Sequence, residues 1–342
     1  KAADSARRHG VPRVHDTAQA MVDDPGVDAV YIATPPSSHL GLAKLVAAAG
    51  KPCLVEKPMA MTHAECVEMN DAFRAAGVPL FVAYYRRALP RFLAVRQLLR
   101  AGAIGPVTDV HVRVSEPLAT GEAAAAWRFD PAVAGAGLFF DLASHCIDLL
   151  DFLLGPIERA AGVAVNTGGS YRAEDVTGAV FGFAGGMAGT GTWNFNADRS
   201  ADAITLTGPL GQLTTPVFTD GDVIVTTRGR EDVHHYRNPP HVHQPLIQTI
   251  VDELQGRGRC ESTGASGARA SWVMDRVLSW APERPDGAPC RPDRPAHRRP
   301  CPPTWPRTGY RHRPSGRECA PAKSPAAHRS GHRAACQRQR VA

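Results

Sequence analysis

Isoleucine, leucine, methionine and phenylalanine are absent from residues 285–342 of this 342-residue chain, so that stretch cannot build a hydrophobic core. A basic surplus is likewise missing from the body. The formal charge of +6 would ordinarily suggest a polyanionic partner, yet residues 285–342 carry 13 Lys+Arg against three acids, while residues 1–284 carry 26 basic and 30 acidic residues. Four of the eight cysteines lie in the tail, and Cys53, Cys66, Cys146 and Cys260 have neither paired nor metal-type spacing. That excludes a disulfide scaffold and a structural metal site, and favours a reduced cytoplasmic protein. No apolar run approaches the ~18–20 residues of a membrane span, and Lys1 opens a polar stretch without signal-peptide character. Residues 1–284 have no P-loop, no G-x-S-x-G elbow, no H-E-x-x-H and no recognition helix with a basic face, so kinase, hydrolase and DNA-binding readings lose support.

What is present has a clear rhythm. Asp28–Ala33 reads as a strand, Thr34–Ser38 as a loop, and His39–Ala49 as a helix closed by Gly50. The unit recurs as Pro52–Val55, the loop Glu56-Lys57-Pro58, and a helix over Ala64–Ala76 opened by a capping box of Thr62 and Glu65. Leu80–Tyr84 and Arg91–Arg100 supply a further strand and helix. Alternation of this kind means βαβ units and a parallel sheet with ligands at the carboxyl ends of its strands, where Thr34, Glu56, Lys57 and Tyr85 fall.

After Gly105-Pro106 the pattern changes. Val107–Val114 alternates as a strand, Gly135 and Gly137 lead into an apolar helix over Leu138–Leu154, and six short strand patterns follow between Ala161 and Thr227. Helices over Gln244–Leu254 and Gly267–Trp280 complete a second, mostly antiparallel α/β unit. The fold class is therefore α/β: a Rossmann-type domain at 1–106, a substrate and oligomerisation domain at 107–284, and a Pro/Arg-rich tail at 285–342 with 11 prolines. The tail reads as disordered, as the product of a shifted reading frame, or as a weak polyanion-binding arm.

Asp141 and His145 lie four apart on the predicted helix and so share one face, with Asp148 one turn on. A polar stripe on so apolar a helix must face a cavity or a hydrogen-bonded partner, because burying it unpaired is costly. A cap plus a satisfied core histidine is the bland alternative, and for Asp148 the better one. His234, His235, His241 and His243 read as a polar loop rather than a metal site.

The set Val30-Tyr-Ile-Ala-Thr-Pro-Pro-Ser-Ser-His39, Val55-Glu-Lys-Pro58 and Gly137-Leu-Phe-Phe-Asp-Leu-Ala-Ser-His-Cys-Ile-Asp148 resembles the Gfo/Idh/MocA oxidoreductases, in order and spacing, over about residues 10–280. The resemblance implies NAD or NADP as cofactor and hydride transfer from a secondary alcohol of a sugar-like or polyol substrate. It implies His145 as general base, Lys57 as electrostatic partner beside a cis-proline turn, and Asp141 as the group that orients the histidine or holds a substrate hydroxyl. Ala33, Thr34, Pro35, His39, Glu56 and Tyr85 then fall beside the cofactor, although Ser37 or Ser38 could simply cap a helix. Trp127 and Arg128 fall beside the substrate, or pin the interdomain loop. Packing is the simpler role for Trp193. Relatives of this kind also include NAD-using glycosidases and non-catalytic sugar sensors, and the open sheet often joins subunits, so a homo-dimer or homo-tetramer is expected. Compared with the family pattern, the chain starts after the first strand, glycine turn, helix and second strand, so this chain is expected to hold a dinucleotide poorly and its choice between NAD and NADP is not legible.

Overall fold

The computed structural model describes residues 2–123 and 126–279, all within one compact unit. The tail expected from residue 285 lies outside the described residues. Helices α1 (Ala2–His9) and α2 (Ala18–Val22) precede a three-stranded sheet of β1 (Val30–Ile32), β2 (Cys53–Val55) and β3 (Leu80–Val82). The strands are parallel, in the order β1-β2-β3, with Val30 beside Cys53 and Cys53 beside Leu80. Every residue of β2 and β3 is buried, as a parallel sheet covered on both faces requires.

The crossovers are α3 (His39–Ala48) and α4 (His63–Ala76), followed by α5 (Pro90–Arg100). Thr62 caps α4 by accepting from the Glu65 amide at 3.2 Å, but the Glu65 carboxylate reaches back to the Met61 amide at 2.9 Å rather than to Thr62, so the expected capping box is displaced by one residue. Gly77, at φ +68°, ends the helix in the left-handed conformation glycine tolerates best.

The second sheet has eight strands: β4 (Asp109–Ser115), β5 (Ile157–Val165), β6 (Val176–Phe183), β7 (Ala188–Asn194), β8 (Ala201–Gly208), β9 (Gly211–Thr215), β10 (Val223–Thr227) and β11 (Arg230–His234). Their order is β11-β10-β9-β8-β4-β7-β6-β5, antiparallel except for the β4–β7 pair. β11 is not anticipated from the sequence, because Arg-Glu-Asp-Val-His has no apolar alternation to reveal a strand. The inward residues of β4, Val110, Val112 and Val114, share one core with Trp193 and with Phe139, Phe140, Ile147 and Leu150.

Between the sheets run α6 (Pro131–Ala134), a five-residue π-turn at Phe139–Ala143, and α7 (Ser144–Leu154). By length and composition Pro131–Leu154 could cross a membrane, contrary to the expectation that no such run exists, but 78 % of its most apolar window is buried inside the protein, which makes it a core segment. Last come α8 (Gln244–Leu254) and α9 (Gly264–Leu278). A reciprocal cap between Thr263 and Ser266 starts α9, which packs on α4, α7 and β5 and so binds the two sheets into one body.

Candidate active site

Three loops meet at the carboxyl ends of β1, β2 and β3. In the first, Ala33 and Thr34 are exposed and Pro35 half-buried. Ser38 does not cap α3; its Oγ lies 2.7 Å from Thr34 Oγ1 and donates to the Pro35 carbonyl at 2.9 Å, bracing the loop from within. His39 corrects an expectation. It is fully buried, with Nε2 2.8 Å from the Thr34 carbonyl and Nδ1 3.2 Å from the carbonyls of Pro58 and Met59. Both ring nitrogens are used on backbone, so His39 ties the first two loops together instead of facing a cofactor.

The second loop contains the cis peptide between Lys57 and Pro58. Glu56 accepts from the Tyr31 hydroxyl through Oε1 and from the Lys57 amide at 3.1 Å through Oε2, which fixes its carboxylate beside the loop. Lys57 Nζ donates to the Asp141 carboxylate, and to the Asp141 carbonyl at 3.1 Å, across 84 residues of sequence. Asp141 Oδ2 also lies 3.5 Å from Arg128 Nε, and the Arg128 guanidinium rests 4.6 Å from the Trp127 ring. Arg128 therefore meets the Lys57–Asp141 pair with Trp127 behind it, and both remain substantially exposed.

Asp141 sits in the π-turn, whereas the sequence pattern predicts unbroken α-helix there. The glycines explain the local path. Gly135 takes φ +90°, and a Cβ on Gly137 would lie 2.7 Å from the Glu174 carbonyl oxygen, so the chain enters the turn through positions where only glycine fits. The extra residue per turn ends the simple four-residue spacing between Asp141 and His145. The expected orientation of the histidine by the aspartate is not found: Asp141 is engaged by Lys57 and Arg128, and His145 Nδ1 is buried with no hydrogen-bond partner.

His145 lies instead among rings. Tyr84, Tyr85 and Phe218 stand edge-on to it at centroid distances of 5.9, 5.4 and 6.1 Å. Burial drives its pKa well below the ordinary 6.5, and the charges of Arg86, Lys57 and His243 press in the same direction. The ring is thus a neutral imidazole at neutral pH.

Tyr85 joins the group from the third loop, stacked on His243 at 4.4 Å and 29°. His243, in the turn that leads into α8, is half-buried, and burial, with Arg86 and Lys57, lowers its pKa against the pull of Glu56. Arg86 is buried with its guanidinium 4.7 Å from the Tyr85 ring and 4.6 Å from the Phe218 ring. Arg86, Phe218 and His243 are the neighbours that sequence reasoning misses. Each belongs to a different segment, and no local pattern brings the three together.

Arg87 points the other way. It donates to both oxygens of Asp148 at 2.8 and 2.7 Å and to Asp151 at 3.0 Å, while Arg269 grips Asp151 with two bonds of 2.7 Å. Asp148 is structural, as its sequence context favours. Trp193 is fully buried between Phe139 and Phe181, and Asn196 is exposed, donating to Thr167 Oγ1 at 2.9 Å. A separate concavity of about 800 Å³ lies among Arg113, Ser115, Thr192, Asn194 and Arg199, and none of Lys57, Asp141 and His145 lines it.

These arrangements have counterparts. Residues 1–84 match the oxidoreductase family with an NAD-binding Rossmann fold, and residues 92–214 match the GFO/IDH/MocA C-terminal domain. Oxidoreductase P35 of Formosa agariphila is 34 % identical over 279 residues, 80 % of this chain and 86 % of that protein. The 1,5-anhydro-D-fructose reductase of Ensifer adhaerens is 28 % identical over 268 residues, 77 % of this chain and 80 % of its own. A levoglucosan dehydrogenase solved with NADH and levoglucosan superimposes with a TM-score of 0.73 at 23 % identity, covering 81 % of this chain and 84 % of the other.

Proposed function

Because the chain belongs to the GFO/IDH/MocA oxidoreductases and carries their NAD-binding Rossmann fold, we propose that Lys57, Asp141 and His145 catalyse reversible hydride transfer between NAD or NADP and a secondary alcohol of a sugar-like or polyol substrate. The residues at the strand ends fit the nicotinamide end of such a cofactor: exposed Ala33 and Thr34, the fixed Glu56 carboxylate, Tyr85, and a buried histidine nitrogen left without a partner. When bound, the nicotinamide supplies the hydride acceptor.

The rest is work for this chain's residues. His145, held neutral by burial and by neighbouring cations, takes the alcohol proton. Lys57 stabilises negative charge developing on the substrate oxygen, since its ammonium is already positioned and needs no reorganisation. Asp141 anchors Lys57 rather than His145, and Arg128 with Trp127 forms the outer wall on the substrate side. The observation that carries this reading is the pairing of a neutral, buried imidazole with an aspartate-anchored lysine on facing segments of one unit.

The same reading takes the protein to work in the cytoplasm as a homo-oligomer through the outer face of the eight-stranded sheet. Supporting it are the four buried free cysteines and the exposed Val163 and Val180. The test is an assay of reduced nicotinamide formation from NAD and from NADP, with a panel of pyranoses, cyclitols and matched open-chain polyols. Turnover with at least one member is expected, and a wholly inactive panel sinks the reading.

A further inference from the structure

The loop between β9 and β10 is built with unusual care for a surface connection. Asp202, on β8, accepts from the amides of Val217, Phe218 and Thr219, each at 2.8 Å, and from the Thr219 hydroxyl at 3.0 Å. Arg86 Nε donates to the Val217 carbonyl at 2.9 Å, and Arg91 Nη1 to the carbonyls of Thr219 and Gly221 at 2.9 and 3.1 Å. One carboxylate and two buried arginines thus satisfy both kinds of backbone group on a loop that forms no strand or helix. Such a loop is held, not mobile.

What it holds is Phe218. This ring lies 6.1 Å from His145 and 4.6 Å from the Arg86 guanidinium, whose other aromatic neighbour is Tyr85. Tyr84 is fully buried, whereas Tyr85 and Phe218 are half-buried, so the rings that flank the base with surface to spare are Tyr85 and Phe218. Arg86 sets their separation. The polar side of the site, with Lys57, Asp141 and Arg128, belongs to other segments.

We propose that Phe218 is a specificity-determining residue, an apolar wall beside His145 against which the C–H face of a cyclic substrate packs, and that Asp202 is the positioning residue that fixes it. The proposal rests on the dehydrogenase reading above. A rigid aromatic plane complements the flat apolar face of a ring, but an open-chain polyol has no such face and must lose more rotational freedom to lie on it.

The experiment compares Phe218→Ala, Phe218→Leu, Asp202→Asn and Asp202→Ala with the unaltered protein, using the best cyclic substrate of the panel and its open-chain counterpart. Phe218→Ala should raise KM for the cyclic compound by about tenfold with kcat nearly unchanged, and leave the open-chain compound little affected; Phe218→Leu should recover most of the loss. Asp202→Ala should reproduce the Phe218→Ala pattern, with Asp202→Asn between. Equal losses on both substrates, a loss confined to kcat, or no loss overturns the assignment. Should the unaltered protein turn over nothing, the dehydrogenase reading fails separately, and amide hydrogen exchange decides the wall. Slow exchange at residues 217–219 that becomes fast in Asp202→Ala supports a held wall; fast exchange in the unaltered protein overturns it.

Discussion

At the scale of single residues, the carboxylate of Asp141 is shared between two cations, Lys57 at Oδ1 and Arg128 at Oδ2. Replacing Lys57 by Ala removes the ammonium proposed to face the developing oxyanion and should lower kcat by about 10²–10³-fold, read in steady-state kinetics. Asp141→Asn takes the carboxylate charge from the lysine but leaves its bond to the backbone carbonyl of residue 141, so its defect should be smaller, about tenfold, and a larger loss than that of Lys57→Ala would reverse the assigned roles. His145 gives a pH signature. Burial first, then Arg86, Lys57 and His243, hold its pKa below 6.5, so the base form persists under mildly acidic conditions and the acid limb of kcat/KM should lie below pH 6.5. Arg86→Gln should move that limb upward. Because the folded pKa lies below the unfolded one, protonation favours the unfolded chain, and His145 withdraws stability only as pH falls below 6.5. The spacing of Asp141 and His145 marked a shared polar face, and Lys57 stood out only through the resemblance to the family. Their partners were not legible, since an aspartate four residues from a histidine does not reveal that it faces a lysine 84 positions away.

At the scale of elements, the segment after β3, α7 and α9 are joined by the Arg87, Asp148, Asp151 and Arg269 network. Burial pushes the Asp148 carboxyl up to about 6 even with Arg87 upon it, and against burial the charge of Asp148, with its two bonds, pushes Arg87 further up, so the pair stays charged at neutral pH. Asp148→Asn should therefore cost about 3 kcal/mol in denaturant unfolding, because it leaves a buried guanidinium half-compensated. Replacing Arg87 and Asp148 together by methionine should cost less than the single change, as no orphan charge remains. The sequence marks α7 and α9 by their apolar periodicity and caps. It does not mark the π-turn at Phe139–Ala143, whose residues would suit an ordinary helix; the turn depends on how Gly135 and Gly137 pack against Phe140 and Glu174.

At the scale of the whole molecule, the inner face of the eight-stranded sheet is covered and the outer one presents Val163, Val180, Thr190 and Thr192 to solvent. If that face joins subunits, Val180→Lys should shift the protein to a smaller species in light scattering while leaving its circular dichroism intact; an unchanged mass would place any interface elsewhere. The sequence by itself determined the alternation of strands and helices, the parallel and antiparallel halves, and the loops where ligands meet strand ends. Local periodicity and turn chemistry suffice for these. Only the tertiary structure decided that Lys57 is anchored by Asp141, that His39 braces two loops, and that His145 is ringed by Tyr85 and Phe218 beside Arg86. Those contacts join segments far apart in the chain, and the burial that tunes the histidine arises only when the segments pack.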